Sequence, residues 1–247
     1  MSKEDSVLWL DKVCKSFGGL KVLVDLDMHV DREEMVGLIG PNGAGKSTVF
    51  NVITSLYKPD SGDVYSLGHK ITGMAAFRIC HRGISRTYQL TKTFQKMTTW
   101  DNAMVSAVYG CGREHRAPAE RAAEALEMVG LTPKKDIMVA HLTLSDRRLL
   151  EIAMAMTSEP VLVLLDEPMA GLNPSEIHNL LQVIQTARKD RKFSVIWIEH
   201  RVDAILDACD RVVVIDYGLK IADGNPEEVA NNPKVIEAYL GEPVTRS

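Results

Sequence analysis

Four short apolar runs recur along the chain, at Met35–Ile39, Val161–Leu165, Phe193–Ile198 and Val212–Ile215. Almost no polar position interrupts them, the pattern of strands buried on both faces in a parallel sheet. Helical spacing fills the intervals. A helix is predicted from Lys46 to Leu56, directly after the first run. Pro118 opens another, with Ala122, Ala125, Leu126 and Val129 on one face and Gly130 as its stop. Leu149, Ile152, Ala153 and Met156 repeat the spacing. Alternating strands and helices predict a doubly wound α/β core with a mainly parallel sheet. From Lys92 to Met156 only helical patterns occur, so an inserted helical lobe is expected over approximately 92–156 of a single domain spanning 1–247. Before the core, VLWLDKV and KVLVDLDMHV predict an N-terminal antiparallel β-subdomain turning at Phe17-Gly18-Gly19. The tail PEEVANNPKVIEAYLGE predicts short helices broken by Pro226 and Pro233.

Composition narrows the class. The 29 Lys and Arg against 33 Asp and Glu leave a net charge of −4, without the basic excess of a nucleic-acid binder. Cys14, Cys80, Cys111 and Cys209 lie far apart with no C-x-x-C pair, which argues against zinc and redox motifs and fits a reducing compartment. The opening MSKEDSVLWL has acids where a signal peptide needs a basic and then an apolar run. No apolar stretch approaches the roughly 18 residues of a membrane span. The expectation is a cytoplasmic chain whose membrane contact runs through another protein or a surface.

The chemistry is concentrated in a few motifs. Gly40-Pro41-Asn42-Gly43-Ala44-Gly45-Lys46-Ser47 matches G-x-x-x-x-G-K-[ST] in full, followed by Thr48, between a predicted strand and a predicted helix. Backbone N–H groups of such a loop close around phosphates, and the helix N-terminus adds favourable partial charge. Lys46 is expected on the β- and γ-phosphates of ATP and the Ser47 hydroxyl on Mg²⁺. The run Val161–Leu165 ends in Asp166-Glu167. Near a phosphate loop, Asp166 is suited to hold Mg²⁺ through water and Glu167 to activate the attacking water. By itself the pair reads better as helix-capping acids, and the phosphate loop upstream is what turns the reading to chemistry. Gln89 follows Arg86-Thr87-Tyr88; its amide can ligate Mg²⁺ or position water, and alone it is a surface polar residue. His200 follows the third run and Glu199. Alone it is a polar loop residue, and in this set it can contact a γ-phosphate. Phe17 either packs on the core or stacks on adenine.

Together these motifs resemble the ATP-binding cassette of ABC transporters. The wording KSFGGL, GPNGAGKSTVFNVIT, GISRTYQL, KMTTWDNAMV, LLEIAMAM, LLDEPMAGLNPSE, IWIEHRVD and IADGNPEEVANNPKVIEAYLGE is similar to the ATPase subunits of branched-chain amino-acid importers, above all the larger of the two. The resemblance covers essentially the whole chain. It implies ATP and Mg²⁺ sandwiched between two cassettes paired head to tail, either two copies or this chain with a second ATPase subunit. It also implies membrane permease subunits, a solute-binding protein acting indirectly, and a peripheral place on the inner face of the membrane. By matching position, Phe17 takes the adenine-stacking place, Gln89 links Mg²⁺ to the helical lobe, Glu167 is the general base and His200 the switch. Ala170-Gly171-Leu172-Asn173 matches the loop that crosses to the partner, and the region from Gln89 to Trp100 receives the permease's coupling helix.

One motif departs from the family. Its signature is LSGGQ-like, and the matching text here is Leu142-Thr143-Leu144-Ser145-Asp146. Thr143 keeps a hydroxyl for the partner's nucleotide. Ser145 replaces a glycine that allows close approach to the γ-phosphate, or else it caps the following helix. A lipid-exporting ATPase and a weakly hydrolysing regulatory nucleotide binder are the alternative readings. The closing segment favours the importer, while Lys46, Asp166, Glu167 and His200 favour hydrolysis.

Overall fold

Gly18 and Gly19 form the turn that sets Phe17 opposite Leu20, joining β1 (Leu8–Phe17) to β2 (Leu20–Val30) in an antiparallel pair. The computed structural model describes residues 4–88, 93–110 and 116–240. After β2 come the fully buried β3 (Met35–Ile39) and α1 (Lys46–Ile53). Next are β4 (Ser61–Ser66), antiparallel to β1, and its short partner β5 (His69–Lys70). The expected antiparallel subdomain is therefore a four-stranded sheet in the order β2-β1-β4-β5. Helix α1 stops at Ile53, earlier than Leu56, because Thr54 leaves helical geometry and Ser55 takes a left-handed φ of 57°.

Contacts divide the chain into two compact units, Met1–Ala76 with Ser194–Ser247, and Phe77–Phe193. Helix α2 (Ala76–His81) marks the crossing, and β6 (Ile84–Arg86) follows. The second unit continues with α3 (Thr99–Tyr109), α4 (Pro118–Met128) and α5 (Leu144–Met156). Among the described residues from the start of α3 to α5, the recorded extended pairing is an isolated bridge from Thr98, the residue that caps α3, to Met138. The predicted apolar face of α4 is buried at Ala122, Ala125 and Leu126. Strand β7 (Leu162–Asp166) pairs in parallel with β6, placing Arg86 opposite Leu164. Helix α6 (Pro174–Arg191) closes the unit.

The chain then returns to the first unit with β8 (Ser194–Ile198), α7 (Val202–Ala208), β9 (Arg211–Asp216) and β10 (Leu219–Gly224). Strand β3 lies in parallel between β8 and β9, and β10 runs antiparallel to β9. Arg211 braces this unit. Its Nε donates to Glu34 at 2.7 Å and its Nη2 to the His29 carbonyl at 2.6 Å, and Asp223 pairs with its Nη1. The tail forms α8 (Pro226–Ala230) and α9 (Pro233–Leu240). Pro226 and Pro233 occupy the first helical position, where the missing N–H costs nothing, so they start these helices rather than break them. Among the described residues no helix is long and apolar enough to cross a membrane.

Candidate functional site

The phosphate-loop motif connects the end of β3 to the start of α1. Gly40, Gly43 and Gly45 have φ of 152°, 82° and 108°. At Gly40 a Cβ would stand 2.0 Å from the Ile215 carbonyl, and at Gly45 2.7 Å from that of Val22. Only glycine allows this winding. Gly45 is also the N-cap of α1 and offers no side-chain acceptor to the first-turn amides. An uncapped helix N-terminus behind a glycine loop has the donors and partial charge that phosphate needs. Lys46 is 6% exposed, and its Nζ donates to the carbonyls of Gly40 at 2.6 Å and Pro41 at 2.9 Å. The loop thus holds a buried ammonium at its own mouth. Ala44 is buried and its carbonyl accepts the Gly218 N–H at 3.0 Å. Asn42, Gly43 and Ser47 are exposed, while Pro41 and Thr48 are half-buried.

The first unit carries two more of the expected residues. Phe17 is 40% exposed, meets Tyr57 edge to face at 5.0 Å, and has the Lys15 ammonium 5.4 Å from its ring centre. His200 is exposed just beyond β8, and its backbone N–H donates to Glu199 at 3.2 Å. An open cleft of about 640 Å³ runs along the loop, with Val22 and Pro41–Ala44 on one side and Tyr217, Lys234 and Glu237 among its other lining residues. On α9 next to that cleft, Tyr239 bonds the backbone of Gly40. Burial pushes the Tyr239 phenol above its ordinary pKa, against the opposing effect of that bond.

The second unit carries the acids. Asp166 ends β7 and is 4% exposed. Its carboxylate accepts from Arg86 Nη2 at 2.7 Å, and its N–H donates to the Thr87 hydroxyl at 3.3 Å. Glu167 is half-buried with a left-handed φ of 49°, a conformation that costs an ordinary residue about 1–3 kcal/mol and gathers at functional sites. Beyond it, Asn173 caps α6 in a reciprocal pair with Glu176, so Ala170–Asn173 is a tight turn ending in a helix start. Ser47 in the first unit offers a hydroxyl and Asp166 in the second a carboxylate, each a hard oxygen donor of the kind that Mg²⁺ takes together with phosphates and water. Among the described residues, no group of three His, Cys, Asp or Glu side chains is placed to hold a metal without such help.

At the signature position the structure removes one of the two readings of Ser145. Thr143, not Ser145, caps α5, its hydroxyl accepting the Asp146 N–H at 3.1 Å. Ser145 is the second helical residue and is half-buried, so its backbone is regular and makes no demand for glycine. Leu144 reaches back toward the crossing loop, and a Cβ at Gly171 would come within 2.9 Å of it. Asp146 is held by Lys134 at 2.7 Å. Burial alone would raise its pKa, but the Lys134 ammonium and the Thr143 hydroxyl outweigh it and hold the carboxyl low.

Phe17, Gly40–Thr48 and His200 thus belong to the first unit; Thr143, Ser145, Asp166 and Glu167 belong to the second. Gln89 lies outside the described residues. Sequence reading missed Arg86 and Tyr239. Nothing local marked either residue, since Arg86 ends the three-residue strand Ile84–Arg86.

Residues 23–170 match the ABC transporter family, and residues 220–245 match the branched-chain amino acid ATP-binding cassette transporter family. The chain is 38% identical over 240 residues to the high-affinity branched-chain amino acid transport ATP-binding protein LivG of Salmonella typhimurium, covering 92% of this chain and 94% of that one. It is 36% identical over 250 residues to BraF of Pseudomonas aeruginosa, of the same description, covering 96% and 98%. Among solved structures, a nucleotide-free ATP-binding cassette from an ABC transporter superposes with a TM-score of 0.87 at 30% identity, covering 96% of this chain and all of that one.

Proposed function

The chain belongs to the ABC transporter family as one of its ATP-hydrolysing cassettes, and from that premise we propose that it powers import of branched-chain amino acids or related small solutes. The observation that carries the import reading is the match at residues 220–245, a segment that generic ATP chemistry does not need. It favours import over lipid export.

In this reading the cassette binds ATP through Gly40–Thr48, with Lys46 on the β- and γ-phosphates and Phe17 against the adenine. Ser47, Asp166 and Gln89 would hold Mg²⁺, which supplies charge neutralisation to the phosphates when bound. Glu167 accepts the proton of the attacking water, and its rigid left-handed backbone fixes where the carboxylate emerges from the strand. His200 contacts the γ-phosphate. Thr143 and Ser145 serve the nucleotide of a second cassette, which the subfamily resemblance makes a different ATPase subunit. The pair rests on membrane permease subunits at the inner face of the membrane, and a solute-binding protein delivers the cargo.

The test is reconstitution with the permease and solute-binding subunits in vesicles. Leucine should stimulate ATP hydrolysis in wild type. Lys46→Ala should lose binding of a fluorescent ATP analogue together with transport, because it removes the direct charge contact to phosphate. Equal nucleotide affinity in both proteins would overturn the phosphate-loop assignment. ATPase activity indifferent to amino acids would overturn the import reading alone.

A further inference from the structure

Arg86 ends β6 and Asp166 ends β7, and the parallel pairing of these strands brings the two side chains together at the carboxyl end of the sheet. Their ion pair is 2.7 Å long, with the side chains 7% and 6% exposed. The next residue strengthens the connection. Thr87 donates its N–H to the Leu164 carbonyl at 2.9 Å and accepts the Asp166 N–H on its hydroxyl. Asp166 is thereby held at backbone and side chain by two consecutive residues of one short segment. The same guanidinium lies 4.9 Å from the Tyr88 ring centre, within cation–π range. Tyr88 in turn is approached by α5, where Arg148 Nη1 lies 3.4 Å from its carbonyl and pairs with Glu151 at 3.3 Å.

A buried carboxylate that serves a divalent cation has two needs. It must have a countercharge while the cation is absent, since an uncompensated buried charge is costly. It must also surrender part of that partnership when the cation arrives, because two cations around one carboxylate repel each other. Arg86 meets both needs. Its planar fork orients the carboxylate, and the neighbouring ring offers the guanidinium a second, uncharged partner. We infer that Arg86 is a positioning residue for Asp166: it holds the carboxylate in the metal-free cassette, and divalent-cation binding has to compete with it. This makes the segment before Gln89 a determinant of metal affinity. The inference rests on the proposed role of Asp166 toward Mg²⁺.

The test is Mn²⁺ binding, followed by electron paramagnetic resonance in the presence of a non-hydrolysable ATP analogue. Arg86→Met and Arg86→Gln both remove the competing charge, and Gln retains a donor should Met prevent folding. Each should tighten Mn²⁺ by about tenfold, the scale of one partly screened charge interaction. The KM for Mg²⁺ in ATP hydrolysis should fall in parallel while kcat also falls, because the carboxylate is no longer oriented. A purely structural Arg86 would lower thermal stability and leave Mn²⁺ affinity per folded molecule unchanged. Unchanged or weakened Mn²⁺ binding in the folded variants overturns the inference. Asp166→Asn separates the two layers. If it leaves Mn²⁺ affinity intact, the role assigned to Asp166 fails. If it abolishes binding while the Arg86 variants match wild type, only the role of Arg86 fails.

Discussion

The Thr143 hydroxyl accepts the backbone N–H of Asp146 across 3.1 Å, so the helix at the signature position is capped before Ser145 begins its own turn of chain. Ser145 is therefore released from capping, and its Cβ and hydroxyl project from a regular helical position. In the proposed pairing, replacing it with glycine removes bulk where this helix start would approach the partner cassette's γ-phosphate, and costs the helix up to about 0.5 kcal/mol, the gap between serine and glycine in helix propensity. Ser145→Gly should raise steady-state phosphate release severalfold, up to the roughly tenfold that 1.4 kcal/mol of transition-state stabilisation gives, while lowering the melting temperature slightly. Release measured at concentrations that favour pairing decides it. A decrease would make Ser145 a competent signature residue.

Glu167 separates chemistry from strain. Glu167→Gln keeps the backbone but cannot accept the water's proton, so turnover should fall by about 100-fold or more with ATP affinity retained. Glu167→Gly loses turnover too, yet relieves the left-handed conformation at φ 49° and should gain up to about 1 kcal/mol. Thermal unfolding of the two variants beside phosphate release checks both halves. Equal melting temperatures would remove strain from the account.

Phe17 tests the base end of the nucleotide. Stacking of an aromatic on a base contributes about 1–3 kcal/mol. Phe17→Ala should weaken ATP several-fold to about a hundredfold and leave inorganic triphosphate unaffected, whereas Phe17→Tyr should keep ATP affinity. Calorimetric titration with the two ligands reads this directly. Parallel losses for both would mean that Phe17 only supports the loop through Tyr57.

The Asp223 carboxyl provides a pH dependence. Burial would raise its pKa, but Lys220 and Arg211 prevail and hold it below its ordinary value of 3.8. A carboxylate depressed on folding contributes stability that is complete above the unfolded value and disappears as pH falls through the folded one. Stability should thus be insensitive to this group above pH 3.8 and decline below it. Asp223→Asn should be less stable than wild type at neutral pH, with the difference shrinking in acid. Urea unfolding across that range measures it, and a constant difference would assign the effect to packing.

What could be read in the sequence followed the range of the interaction. Strands β3, β7, β8 and β9 were visible because each is a continuous apolar run. The phosphate loop was visible because its spacing lies within eight consecutive residues, and two of its glycines, Gly40 and Gly45, are where a Cβ would strike carbonyl oxygens. Asp166-Glu167 was visible for the same local reason. The Arg86–Asp166 pair was not, since it depends on the parallel registration of β6, a three-residue strand too short for periodicity to detect. Capping by Ser145, one of two readings of that residue, falls because both Thr143 and Ser145 suit the role chemically and only backbone geometry chooses between them. Tyr239 escaped notice because its contact with Gly40 spans nearly the whole chain.

That last contact bears on how such cassettes diverge. Helix α9 lies within the segment that marks the branched-chain lineage, and Tyr239 on it bonds the first glycine of the phosphate loop. A segment shared with that family thereby reaches the phosphate loop itself. Substitutions in α9 therefore have a physical route to the phosphate loop that leaves every letter of the nucleotide motifs the same. Two cassettes with identical motifs can accordingly differ in what holds the loop from behind, and motif comparison alone would rank them as equals.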